Sequence, residues 1–104
     1  MNAIHKVFDS LKKNNRKALI TYSVAGDPDL DSSEKIIRNF ISSGVDIIEV
    51  GVPFSDPMAE GPSIQLGHER ALKNNISLLN ILEMCSKIKM DFPETPIVLM
   101  LSLI

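Results

Sequence analysis

The sequence predicts an α/β fold built on a parallel sheet, and two features of its apolar pattern lead to this. Three segments are each typical of a buried strand, at residues 18–26, 45–54 and 95–104. The last is an almost unbroken apolar run, as expected of a strand covered on both faces. Helical segments separate the strands, and this alternation is typical of right-handed βαβ units.

The first half of the chain predicts two helices around the first strand. Residues 3–13 repeat apolar side chains at helical spacing and end on two lysines, where the helix dipole favours cations. The strand at 18–26 ends in a turn formed by Gly26, Asp27 and Pro28. Asp31 then precedes Glu34 by three residues, which predicts the capped start of a second helix. Gly44 is placed as its C-terminal glycine.

The second half predicts two consecutive helices before the last strand. Pro62 suits the first turn of a helix that runs to about residue 73. Ser77 can cap the next helix, which stops before Pro93. Its predicted inward stripe consists of Leu78, Leu79, Ile81, Leu82, Cys85 and Ile88.

The strand at 45–54 carries an acid among aliphatic residues. Because side chains alternate across a strand, Glu49 shares a face with Ile47 and Gly51. The other face is uniformly aliphatic and suits a layer of helices; it consists of Ile48, Val50 and Val52. Two architectures fit this pattern, an open doubly wound sheet and part of a (β/α)₈ barrel. In a barrel, Glu49 would point into the lumen near the C-terminal end of its strand, where active sites lie.

A loop with further carboxylates follows this strand. A carboxylic acid withdrawn from water keeps its proton to higher pH, which suits general acid–base chemistry. Asp56 and Glu60 lie on the loop, above the face to which Glu49 points, so an acid/base pair is one interpretation. A structural ion pair and a solvated surface loop remain alternatives. The loop is stiffened by its prolines, Pro53, Pro57 and Pro62.

Composition and charge narrow the classes of function. With 104 residues, the chain is long enough for one small domain. A hydrophobic fraction of 44% and a charged fraction of 23% are ordinary for a globular protein. The net charge of -2 supplies no attraction to nucleic acid or to anionic lipid. We therefore expect no nucleic-acid partner and no membrane partner.

The cysteine and histidine content excludes two kinds of site. Cys85 is the only cysteine, so neither an intrachain disulfide nor a site with several thiolate ligands is possible. Its place on an inward stripe predicts an inert core residue. His5 and His68 have no metal-ligand partners at useful spacing and are expected at the surface, so no metal is predicted. Without a membrane-length apolar run or the apolar core of a signal peptide, a reducing cytoplasmic location is expected.

Several longer stretches together resemble one enzyme family. The segments are "TYSVAGDPD", "SGVDIIEVGVPFSDPMAEGPSIQ", "ERAL" and "PIVLM". They are similar to the α chain of tryptophan synthase, from about residue 17 to Met100. The part that follows the pattern P-F-S-D-P-x-A-[DE]-G-P is highly specific.

The resemblance implies a fold, an activity and a partner. It implies a (β/α)₈ barrel that cleaves indole-3-glycerol phosphate to indole and glyceraldehyde 3-phosphate in tryptophan biosynthesis. The α chain uses no cofactor for this step. Pyridoxal phosphate belongs to the partner β chain, with which the family forms an α2β2 tetramer.

The resemblance also implies roles for single residues. Glu49 matches the glutamate that transfers protons at the scissile bond, and Glu60 matches the acid that accepts a hydrogen bond from the indole nitrogen. For Tyr22 and Met100, plain core packing is an equal alternative to substrate contact. The resemblance further implies that Tyr22 and Met100 line the substrate pocket. It also implies that Pro53 and Asp56 contact the β chain.

Three departures from the family bear on activity. Glu60 replaces the usual aspartate, and a shift of its carboxylate by ~1 Å can cost ~10²-fold in rate, although we expect the loop to accommodate it. The letters "LSLI" after Met100 do not match the family. A barrel typically needs ~250 residues and binds phosphate after its last two strands. We therefore expect residues 1–104 to be a single incomplete domain, inactive alone, with non-catalytic binding of a β chain as the alternative function.

Overall fold

Strands and helices follow one another in the order that the sequence predicts. The computed structural model describes residues 2–53 and 62–101. Each strand is shorter than its apolar segment, because only the part that pairs with a neighbour has strand geometry. The elements are α1 (Ala3–Lys13), β1 (Ile20–Val24), α2 (Leu30–Ser42), β2 (Ile47–Gly51), α3 (Pro62–Leu72), α4 (Leu78–Asp91) and β3 (Ile97–Met100).

The three described strands form one parallel sheet in the order β1-β2-β3. Its register sets which side chains share a face. Glu49 lies beside Tyr22 on β1 and beside Val98 on β3. One step further toward the strand ends, Gly51 lies between Val24 and Met100. All of these residues belong to the same face of the sheet, because paired positions in a parallel ladder point the same way.

The core lies against the opposite face of the sheet. There, Ile48 and Val50 pack with residues of α2 and α4, and both are fully buried. Burial of a large aliphatic side chain stabilises the fold by about 1.5–3 kcal/mol. The fully buried isoleucines that the two helices contribute are Ile37, Ile81 and Ile88. The aliphatic face of β2 therefore packs against the helices, as its alternation predicts.

The inward stripe of α4 differs from the prediction. Ile81, Cys85 and Ile88 are buried as expected, but Met84 joins them, while the predicted leucines are exposed. Only one narrow stripe with spacing of three and four residues can face the sheet, and the predicted set was too wide for it. Leu82 lines a cavity of about 450 Å³ between α1, α4 and β3. The exposed leucines are Leu78, Leu79 and Leu82.

Both ends of α2 are capped, although the start differs from the prediction. The N-cap is Asp29, whose carboxylate accepts hydrogen bonds from the amide of Ser32 at 2.7 Å and from its hydroxyl at 3.0 Å. The predicted pair of Asp31 and Glu34 was therefore wrong by two residues, since Asp31 already lies in the first turn. Gly44 follows the C-cap with a φ of +105°, as predicted for a C-terminal glycine.

Asp29 gives the fold a component of stability that depends on pH. The amide and the hydroxyl of Ser32 lower the pKa of Asp29 below its usual 3.8. A carboxyl group with a lowered folded-state pKa stabilises the fold above its unfolded-state pKa, and this is lost as pH falls through the folded-state pKa. As the pH falls from about 5 through the folded-state pKa, we expect Asp29→Asn, which keeps the capping oxygen, to lose less stability than the native chain. Urea unfolding at a series of pH values measures the free energy of unfolding of both proteins. The same dependence on pH in both would contradict the role of Asp29.

Candidate active site

Glu49 lies on the face of the sheet opposite the helical core, as the alternation of β2 predicts. It is half-buried, near the C-terminal end of the strand, while its sequence neighbours Ile48 and Val50 are fully buried on the other face. In the described part of the chain, no hydrogen bond or ion pair ties its carboxylate to another residue.

Tyr22 lies beside Glu49 and leans toward the end of β2. A Cβ atom placed on Gly51 would collide with the Tyr22 hydroxyl and would lie 2.7 Å from its Cζ. The outer end of the aromatic ring therefore occupies the space that the missing side chain of Gly51 leaves. The ring of Tyr22 therefore extends from its position beside Glu49 toward the C-terminal end of β2, over Gly51.

The other predicted site residues fall in different parts of the structure. Met100 lies level with Gly51 on the face of Glu49 and is 42% exposed. Pro53 is half-buried, two residues beyond β2. Asp56 and Glu60 lie outside the described residues. The sheet thus brings Tyr22, Glu49 and Met100 to one face, and the roles of all these residues remain predictions.

His68 is buried, and the expectation that it lies at the surface was wrong. It belongs to α3, which packs against β1, and its side chain has no solvent exposure. Its Nε2 lies 3.5 Å from the hydroxyl oxygen of Tyr22, a long hydrogen bond whose direction depends on the imidazole tautomer. The sequence did contain a feature that indicates close packing of this helix face. The small residues Gly67 and Ala71 lie four apart beside His68, as in a helix face that approaches another element closely.

A two-pronged ion pair fixes α3 to the end of β1. Arg70 donates to Asp27 through Nε at 2.6 Å and through Nη2 at 2.9 Å. The side-chain amide of Asn74 donates to the carbonyl oxygen of Pro28. Asp27, interpreted from the sequence as a turn residue alone, thus also holds the helix that carries His68. We call this contact the Asp27–Arg70 latch.

The latch leads to a ranked prediction for two substitutions. Arg70→Lys keeps the charge but loses the paired geometry, and Arg70→Met loses both. We expect both to lower the midpoint of urea unfolding, with methionine giving the larger decrease. Arg16→Met is the matched control, because Arg16 lies 3.8 Å from Asp46 and its side chain is 60% exposed. An equal decrease for the control would show that the latch geometry contributes nothing.

The described residues contain no cluster of side chains suited to binding a metal ion. Across residues 2–53 and 62–101, no three side chains of histidine, cysteine, aspartate or glutamate come close enough together to hold one. Cys85 is buried, and burial raises the pKa of its thiol. In the same residues, no helix combines the length and the apolar character that crossing a membrane requires.

A parallel sheet of βαβ units with an acid near the end of its second strand defines an α/β protein of the kind that places catalytic groups at strand ends. Comparisons with known proteins narrow this class. The sequence profile of the tryptophan synthase alpha chain matches residues 8–103. This chain belongs to the tryptophan synthase alpha chain family. Its fold is part of a (β/α)₈ barrel, with an N-terminal helix and three parallel strands.

Individual relatives show how much of the family this chain covers. The alpha chain of Nitrosomonas europaea is 49% identical over 100 residues, which are 96% of this chain and 36% of that protein. The alpha chain of Geobacter sulfurreducens is 51% identical over 96% of this chain and 38% of its own length. A crystal structure of the Legionella pneumophila alpha chain aligns with a TM-score of 0.93 at 40% identity, over 99% of this chain and 38% of that one. The chain thus spans little more than a third of these relatives.

Proposed function

We propose that this chain contributes the first part of a tryptophan synthase α-type lyase, which cleaves indole-3-glycerol phosphate to indole and glyceraldehyde 3-phosphate. One observation carries the proposal. The side chain of Glu49 lies on the face of the sheet opposite the core, near the C-terminal end of β2. Catalytic groups of barrel enzymes occupy this position.

The chemistry requires a group that moves protons at the scissile bond. A proton added to the indole carbon that carries the glycerol chain leaves positive charge on the ring and its nitrogen. Removal of the proton from the adjacent side-chain hydroxyl then forms the aldehyde. The carbon–carbon bond breaks, and its electrons return to the ring to give indole. Glu49 is the proposed proton carrier, and this step needs no cofactor.

The other roles follow from the same proposal. Glu60 accepts the hydrogen bond of the indole nitrogen and stabilises the positive charge that develops there. Tyr22 and Met100 form apolar walls of the substrate site. Support for these two residues comes from the register, which puts them on the face of Glu49.

We also propose a protein partner and a setting. The partner is a β chain that carries pyridoxal phosphate, docked on the segment that includes Pro53 and Asp56, in an α2β2 assembly. Residues 1–104 form one incomplete domain, and the location is the cytoplasm. Co-purification with a β chain tests the docking surface. Binding that survives Asp56→Ala unchanged would argue against that surface.

The activity is tested in a protein with a complete barrel. Residues 1–100 of this chain replace the aligned part of the Aquifex aeolicus alpha chain, which is 43% identical over 100 residues. We expect this chimaera to release indole from indole-3-glycerol phosphate. The 104-residue chain alone should release none, because positioning of the substrate supplies much of such catalysis. A folded chimaera that releases no indole would refute the proposed activity.

A further inference from the structure

His68 is a buried polar residue to which the proposed chemistry gives no task. Its imidazole has no solvent exposure, and burial of a polar group is unfavourable unless it is hydrogen-bonded. One contact of its Nε2 is with the Tyr22 hydroxyl, at 3.5 Å. This contact joins α3 to β1, the strand beside Glu49.

The contact reaches the outer end of the Tyr22 ring. The base of this side chain is fixed by the pairing of β1 with β2, but its outer end can move by rotation about two side-chain bonds. The hydroxyl lies over Gly51, where no side chain blocks it. A partner at the hydroxyl therefore favours the rotamer in which the ring covers Gly51.

The imidazole itself is held in place by the helix that carries it. The Asp27–Arg70 latch fixes α3 to the turn after β1. A Cβ atom on Gly67 would lie 3.2 Å from a methyl carbon of Val24, so the helix packs tightly on the strand. A ring on such an anchored helix can position a neighbour on the sheet.

We propose that His68 is a positioning residue, which holds the Tyr22 ring over Gly51 and so sets the position of the wall that Tyr22 contributes to the substrate site. Its effect on catalysis rests on the proposed function, whereas its effect on Tyr22 does not. The two effects are therefore measured separately.

The effect on Tyr22 can be measured in this chain directly. Tyr22 is its only tyrosine, and the chain contains no tryptophan. The tyrosine band in near-ultraviolet circular dichroism thus reports the order of this single ring. We expect His68→Leu to lose most of the band while the far-ultraviolet helical signal is kept, and His68→Gln, which restores a polar tip, to recover part of it. His5→Gln is the control, because His5 is the other histidine and lies exposed on α1.

Three results of this measurement would overturn the proposal. The first is a tyrosine band that His68→Leu leaves unchanged. The second is unfolding of both His68 variants, because His68 would then serve the fold as a whole. The third is a native chain that shows no ordered tyrosine band.

The effect on catalysis is measured in the chimaera. We expect His68→Leu to raise KM for indole-3-glycerol phosphate by roughly three- to tenfold, the value of one hydrogen bond, and to change kcat less. In a chimaera that already carries Tyr22→Phe, which lacks the hydroxyl, His68→Leu should cause no further rise in KM. The effects of two residues that act through one contact are not additive. An equal rise in KM with and without Tyr22→Phe would overturn the proposal. If the unmodified chimaera makes no indole, the proposed function has failed, and the tyrosine band alone decides the role of His68.

Discussion

Glu49→Gln is expected to lower the rate of indole release by the chimaera about 10²–10⁴-fold, the usual contribution of a positioned acid or base. Glutamine preserves the size and most of the shape of the side chain but cannot carry a proton between substrate atoms. The loss should therefore appear in kcat, with KM for indole-3-glycerol phosphate changed little. Steady-state measurement of indole at several substrate concentrations separates the two constants.

The matched control for this prediction is Glu83→Gln. Glu83 lies exposed on α4, in the helical layer on the opposite side of the sheet. We expect this variant to match the unmodified chimaera in rate and in stability. If Glu49→Gln retained the full rate, Glu49 would not be the proton carrier, whatever the position of its side chain.

Gly51→Ala is expected to destabilise the chain by about 1–3 kcal/mol, the usual cost of an extra methyl group in a filled site. The new methyl would collide with the outer end of the Tyr22 ring. Either the ring must leave its position or the backbone of β2 must move. Urea unfolding followed by far-ultraviolet circular dichroism measures the change in stability, and the near-ultraviolet tyrosine band shows whether the ring has moved.

A double variant tests whether the collision is the cause. Tyr22→Ala removes the hydroxyl oxygen and the two ring carbons that the methyl would approach most closely. We expect the double variant Gly51→Ala with Tyr22→Ala to lose less free energy of unfolding than the two single variants lose in sum. Strict additivity would mean that the cost arises from the backbone at Gly51 and not from Tyr22.

Local patterns in the sequence predicted those features that depend on near neighbours along the chain. The alternation of β2 alone placed Glu49 opposite Ile48 and Val50, since successive side chains of a strand point to opposite faces. The Ser77 cap of α4 is present as predicted and forms a capping box with Asn80. The start of α2 was predicted two residues too late, because the spacing of Asp31 and Glu34 matches a capping box although the N-cap is Asp29.

Features that depend on contacts between distant segments were not predicted. Burial of His68 follows from the way α3 lies against β1, and the residues that fix it, Asp27 and Arg70, are 43 positions apart. The position of the Tyr22 ring over Gly51 depends on the register between β1 and β2. Neither fact can be read from periodicity, because periodicity describes one element at a time.

The sequence by itself determined the α/β class, the order of the elements and the face on which Glu49 lies. These depend on alternation and on caps, which act over a few residues. Only the tertiary structure decided how the neighbouring strand is packed: the ring of Tyr22 extends over Gly51, and the buried His68 contacts the Tyr22 hydroxyl. The physical reason is that packing and register join segments far apart in the chain, and no local pattern specifies how they meet.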